Sequence, residues 1–270
     1  PSACAFKSVN PTKDGGILHR MSIRIPVLKI VHSSDVWADN VKALVLREET
    51  MSLVRNEFVE NRTGLSDETL AQLREEISGV VITPDDFDYE SVRIGLSREV
   101  VRHPALIVRA VDAYDVSRVV TLGNETEVEL AIRSGGHSLS GLSTLDGGIV
   151  LDLSQMKGMT FDLEQRTVWA ESGLTAGEYT ERSAEYGLVT GFGDTASVGI
   201  GGLATGGGIG YLVRKYGLTV DNILAAEMVT ADGEIRYVDA ENHPDLFWAI
   251  RGGGGRARSG GGWDPWGRTL

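Results

Sequence analysis

Short apolar runs separated by polar punctuation organise the middle of the chain. Ala105–Ala110 follows a proline and predicts a buried strand. Val128–Ile132 predicts the next, and Gly148–Leu153 a third. Between the first two, Asp112 or Asp115 is placed to cap a helix carrying Val116, Val119, Val120 and Leu122. Strand, helix, strand, loop and strand make a small α+β subdomain. A second unit follows. Met159–Leu163 and Thr167–Glu171 read as paired strands. Thr175-Ala176-Gly177-Glu178 has capping-box spacing and opens a helix through Tyr186, closed by Gly187. Leu188–Thr190 reads as a short strand. Ile223–Thr230 and Glu234–Val238 alternate around Asp232-Gly233, a hairpin signal. Pro244–Ile250 predicts a helix with Leu246, Phe247 and Ile250 on one side.

The ends are patterned differently. Ile23–Val31 reads as a strand, and Ser66–Thr69 as the polar start of a short helix carrying Leu70, Leu73 and Ile77. The acidic run Asp85–Glu90 lacks the glycine and ligand spacing of a calcium loop and reads as a solvated turn. Arg256–Leu270 has no hydrophobic period and predicts a disordered tail. The expected division is an N-terminal extension with short helices (1–80), two α+β subdomains (81–153 and 154–255) and the tail (256–270).

Composition narrows the partners. A net charge of -12 over 270 residues argues against nucleic acid or an anionic membrane as the main partner. It leaves room for a small anionic cofactor held by backbone dipoles, and for a small-molecule substrate. The single cysteine, Cys4, predicts no intramolecular disulfide and no cysteine metal cluster. No run approaches the roughly 18 apolar residues of a membrane span. Residues 1–20 lack the layout of a secretory leader, so the expected compartment is the cytoplasm.

Two stretches are candidates for chemistry. Arg133-Ser134-Gly135-Gly136-His137-Ser138 leaves a strand for a loop. Two glycines free its backbone to wrap an anion, and a histidine follows them. Gly191–Gly210 holds nine glycines among twenty positions. Val198, Ile200, Leu203 and Ile209 run through it, which suits a ligand site better than a solvated linker. No Gly-Lys-Ser/Thr follows, so it is not a Walker loop, and it lacks the context of a nicotinamide fingerprint. His137, one of five histidines, has no zinc partners at ligand spacing and no Gly-x-Ser-x-Gly elbow nearby. The residues alone leave it between a cofactor role and a structural one.

These motifs, in order, resemble the FAD-linked oxidases of the vanillyl-alcohol oxidase / para-cresol methylhydroxylase superfamily. The nearer likeness is to the berberine-bridge-enzyme-like and 6-hydroxynicotine-oxidase-like branch. Arg133–Ser138, Asp146–Leu153, Val198–Gly202, Gly206–Gly208, Arg214–Leu218, Asp221-Asn222 and Asp245–Gly255 carry it, over about residues 80–255. The resemblance implies a PCMH-type FAD-binding domain, α+β in class, with two subdomains gripping an extended FAD. It implies that Arg133, Ser134, Gly135, Gly136, His137 and Ser138 hold the pyrophosphate, and that His137 is bonded to the 8α-methyl carbon of the flavin. Val198, Gly199, Gly202, Gly206 and Gly207 would line the flavin and ribityl chain, with Asn222 and Ile223 near the cofactor. The implied reaction moves hydride from an alcohol or amine C–H to flavin N5, with dioxygen as acceptor. Bicovalent members carry a cysteine where this chain has Thr195, so a single histidyl link is implied. Beyond Gly255 the chain leaves the family pattern before any substrate domain. The alternative is therefore an FAD-binding fragment without catalysis, and no catalytic base is assigned.

Overall fold

The computed structural model describes residues 20–28 (backbone only), 65–96 and 100–254. Residues 1–19 with Cys4, residues 29–31 of the expected N-terminal strand, and the tail 256–270 lie outside the described residues.

A four-stranded sheet has the order β2-β3-β5-β4, built from β2 (Val80–Ile82), β3 (Leu106–Arg109), β4 (Leu130–Arg133) and β5 (Ile149–Asp152). β3, β5 and β4 run parallel, and β2 is antiparallel to β3. Strands buried on both faces need apolar residues at consecutive positions. Leu106, Ile107, Val108, Ile149, Val150 and Leu151 are accordingly all buried. Two further helices precede β3, α1 (Asp67–Glu76) and α2 (Tyr89–Arg93). Helix α3 (Ala113–Glu125) links β3 to β4; Asp112 caps it by accepting the Asp115 N–H. Val116, Val119 and Val120 pack from this helix into the same core as Leu106, Val108, Ile149 and Leu151. β4 and β5 are neighbours in parallel, yet residues 134–148 between them form no helix. A loop of that length within a packed domain is usually functional.

A five-stranded sheet has the order β6-β7-β1-β8-β9. Its members are β1 (Arg20–Leu28), β6 (Met159–Asp162), β7 (Thr167–Glu171), β8 (Ile223–Thr230) and β9 (Ile235–Asp239). β1 runs parallel to both β7 and β8, at the centre of the sheet. Residue pattern alone places this strand in an N-terminal extension, because its partners lie far along the chain, where local pattern gives no signal. The expected hairpin at Asp232-Gly233 is present, with β8 antiparallel to β9. The expected strand at 188–190 is reduced to a single bridged residue, Val189.

Helix α4 (Ala176–Ala184) carries the capping box, Thr175 Oγ1 accepting the Glu178 N–H and Glu178 accepting the Thr175 N–H. It ends two residues before the expected Tyr186, and Gly187 follows at φ +68°. Within the core of this half, Tyr179 is fully buried and its hydroxyl shares a 2.9 Å hydrogen bond with Thr190. Burial pushes that phenol up to about 12. Thr175→Ala should destabilise the chain by about 1 kcal/mol and lower Tm by about 2–4 °C. Thr175→Ser should stay close to wild type in the same thermal melt.

Three more helices complete the fold: α5 (Ile200–Thr205), α6 (Val213–Tyr216) and α7 (Pro244–Gly253), the last kinked at Arg251-Gly252. Residue pattern alone predicts no helix at α5. Among the described residues no helix is long and apolar enough to cross a membrane.

Candidate functional site

The three parallel strands of the smaller sheet end on the same edge, and the Arg133–Ser138 turn leaves the sheet there. Gly136 adopts φ +69°, which reverses the backbone at the middle of the turn. Among the described residues, the backbone N–H groups of Gly135, Gly136, His137 and Ser138 have no hydrogen-bond partner. Consecutive free N–H groups around a left-handed residue form a concave anion site. A flavin pyrophosphate matches that donor set in charge and in hydrogen-bond demand.

The turn is held from outside. Gly136 O accepts the Leu96 N–H at 3.1 Å. Ser138 Oγ accepts the Leu142 N–H at 3.1 Å. Ser134 is buried, and its hydroxyl donates to Ser172 O. His137 is half-buried, and its ring makes no hydrogen bond among the described residues. Ile94, Leu96, Leu139 and Leu142 expose apolar surface in the segments that hold the turn.

The Arg133 side chain does not point at the turn's anion site. It is buried, and its guanidinium pairs with Asp152 at 3.0 Å. Arg109 approaches the same carboxylate oxygen at 3.6 Å. Neither Asp152 nor Arg109 was singled out from sequence. A signal was present: three buried strands read Leu-Ile-Val-Arg, Leu-Ala-Ile-Arg and Ile-Val-Leu-Asp, each apolar run closing on a charge.

The glycine-rich stretch meets the turn backbone to backbone. A Cβ on Gly135 would stand 2.2 Å from Gly199 N. One on Gly199 would stand 2.2 Å from Gly135 N and 2.3 Å from Ser134 Oγ. Val198 O accepts the Ala176 N–H at 2.8 Å, and Gly199 opens α5, in which Gly202 lies. At the far end of α5, Gly206 is exposed, and Gly207 has φ +122° with nothing within 4 Å of where a Cβ would stand. Gly207 O and Gly208 O accept the N–H groups of Val220 and Thr219, both at 2.9 Å. Asn222 is buried, its amide donating to Leu218 O at 2.8 Å, and Ile223 belongs to the core. Thr195 is exposed; its hydroxyl donates to Asp194 at 3.0 Å and its carbonyl accepts the Val198 N–H at 3.3 Å. The structure thus joins the turn to Val198–Gly202, and Gly206–Gly208 to the Thr219–Asn222 segment. Gly199, Asn222 and Ile223 have protein partners where a ligand was expected.

The loop from 139 to 148 is clamped at its far end. Asp146 accepts from Arg102 and from the His103 N–H, both at 2.7 Å. Burial pushes the Asp146 carboxyl up, but these two contacts outweigh it and hold it below its usual value of 3.8. A lowered pKa in the folded state gives stability that is present at neutral pH and lost as pH falls through that pKa. Protection of the Gly147 amide, which donates to His103 O at 2.9 Å, should therefore fall below about pH 4, its exchange approaching the intrinsic rate. In Asp146→Asn exchange should be fast across the whole range.

A family described as FAD binding domain matches residues 104–239. The (R)-6-hydroxynicotine oxidase of Paenarthrobacter nicotinovorans is 39% identical over 178 residues, covering 66% of this chain and 39% of that enzyme. Berberine bridge enzyme-like 24 of Arabidopsis thaliana is 42% identical over 158 residues, covering 56% of this chain and 29% of that protein. Among solved structures, the glucooligosaccharide oxidase of Acremonium strictum, described with a 6-S-cysteinyl, 8α-N1-histidyl FAD, matches with TM-score 0.64 at 28% identity, covering 68% of this chain and 39% of that one. The chain therefore spans about two fifths or less of the length of these relatives.

Proposed function

Because this chain belongs to the FAD binding domain family of the FAD-linked oxidases, with 6-hydroxynicotine oxidase and berberine-bridge-enzyme-like proteins as relatives, we propose that it binds FAD at the Arg133–Ser138 turn and carries it covalently through His137. One observation bears most of the weight: four successive N–H groups, from Gly135 to Ser138, without a partner among the described residues, in a run that includes a histidine whose ring likewise makes no hydrogen bond among them. These donors would hold phosphate oxygens without any cationic side chain in contact. The floor beneath them carries two arginines against one aspartate, a local positive excess in a protein of net charge -12. Ile94, Leu96, Leu139 and Leu142 offer apolar surface to a flat ring system and would limit water at it. Gly206 and Gly207 leave bare backbone that a flat ligand can approach closely. His137 would donate a ring-nitrogen lone pair to the 8α carbon, so that nitrogen must be unprotonated when the bond forms; one methyl C–H bond is broken, that proton and the imidazole N–H proton are released, and the two electrons pass to the flavin and from it to dioxygen. Thr195 offers a hydroxyl where a thioether would need a sulfur, which leaves one link.

The bound flavin would supply two-electron oxidation, accepting hydride at N5. The net reaction proposed is an alcohol or amine plus dioxygen giving a carbonyl or imine plus hydrogen peroxide. For a chain that spans 39% of the nicotine oxidase, binding and turnover are separate propositions. Expression in FAD-replete cells should give a yellow protein whose colour stays with the precipitate in acid. Colourless protein would overturn the flavin reading. Peroxide formed by the flavin-loaded chain from a panel of alcohols and amines tests turnover; a loaded chain forming none would be an FAD-binding unit without oxidase activity of its own.

A further inference from the structure

Three neighbouring parallel strands end on a charge, and the charges stand in register. Arg109 of β3 pairs with Asp152 of β5, and Arg133 of β4 pairs with the same Asp152. Residues in register point to one face, so a single carboxylate lies between two guanidiniums. Asp152 is buried, as is the Arg133 side chain. Oδ2 takes Arg133 at 3.0 Å and faces Arg109 Nε at 3.6 Å, while Oδ1 accepts the Ser154 N–H at 2.9 Å. Arg109 Nε is itself buried without a hydrogen-bond partner among the described residues.

This cluster is the floor of the turn. The Cβ position of Gly136 lies 3.5 Å from Arg133 Cδ and 3.9 Å from Cγ, so the arginine stem packs directly under the left-handed residue before His137. A buried ion pair is a poor device for stability alone, because apolar residues of similar volume usually do as well. Its advantage is directional: Asp152 fixes where Arg133 lies, and Arg133 fixes the height of Gly136. Neutralising Asp152 would leave two guanidiniums facing each other in a buried site, and Arg133 would be driven from under the turn.

We infer that Asp152 is a positioning residue for flavin attachment, acting through Arg133 to hold Gly135–Ser138 and the His137 ring in the shape that captures the cofactor. The inference rests on the flavin reading above. Its test follows the rate at which apo-chain given FAD acquires acid-stable flavin, with the melting temperature of each apo-variant measured alongside. Asp152→Asn and Arg133→Met should each slow acquisition by about 10–100-fold, the usual consequence of misplacing a reacting group by about an ångström. The double variant should be no slower than the slower single, because both act through one contact. Asp152→Glu and Arg133→Lys keep both charges. They should load more slowly than wild type with melting temperatures near it, and they decide the case if Asp152→Asn does not accumulate as folded protein. Wild-type loading rates in these folded variants, or effects that multiply in the double variant, would overturn the inference while leaving the flavin reading intact. Wild-type chain that takes up no flavin would overturn both.

Discussion

His137→Ala should abolish acid-stable flavin completely while leaving a protein that still binds FAD reversibly. The two effects separate because different atoms carry them. Attachment needs the imidazole nitrogen, and no other described residue in the turn offers a nucleophile of that kind. Phosphate capture needs the N–H groups of Gly135 to Ser138, which an alanine at 137 retains. The ring makes no hydrogen bond among the described residues, so its removal breaks no hydrogen bond of the turn among them. The variant should melt within about 0.5 kcal/mol of wild-type apo-protein, as expected when no buried contact is lost. Acid precipitation of the purified proteins reads the outcome: flavin in the pellet for wild type, all of it in the supernatant for the variant. Acid-stable flavin persisting in His137→Ala would place the link elsewhere. Thr195, whose hydroxyl donates to its neighbour Asp194, has no sulfur and cannot supply a thioether.

What the sequence made legible follows the range of the interactions involved. The Asp112 cap, the Thr175–Glu178 box and the Asp232-Gly233 hairpin are decided within a few residues, and each is found where its local chemistry places it. β1 is held by strands far from it along the chain, and its own residues do not announce a central position. Helix α5 contains two glycines, each costing about 1 kcal/mol of helix propensity. Contacts of Gly201 with Ser172 and Ser134 explain why small residues are needed there in spite of that cost. The site was legible as a stretch of chain and not as a set of contacts. An arginine at the head of an anion-binding turn suggests a phosphate contact, whereas its side chain turns back to Asp152. Local pattern shows that a charge closes a buried strand; which neighbouring strand carries the opposite charge is a matter of sheet order.

Gly199 shows the same distinction and gives it a measurable form. A glycine near a flavin has two explanations, close approach by the ligand or close approach by the protein, and they predict different losses. In this fold a Cβ at 199 would meet Gly135 N at 2.2 Å, Ser134 Oγ at 2.3 Å and Gly135 Cα at 2.7 Å. Two of those atoms are backbone and cannot rotate away. Ser134 is buried and tied to Ser172 O, so its hydroxyl has little room to retreat. Gly199→Ala should therefore push the glycine-rich segment off the turn and destabilise the apo-chain by about 3 kcal/mol, at the upper end of overpacking costs. That corresponds to a fall in Tm of about 6–12 °C for a chain of this size. Gly135→Ala, which meets the same crossing from the other side, should match it. Gly253→Ala is the control: no described residue lies within 4 Å of its Cβ position, and it should melt at or slightly above wild type. Thermal melts of flavin-free protein decide between the explanations. If the ligand alone required the glycine, Gly199→Ala would melt with wild type and lose only cofactor. A fall in Tm without flavin present requires that the two motifs touch before any cofactor arrives, so that the packing of Gly135 on Gly199 preforms the site and FAD binds to a shape already made.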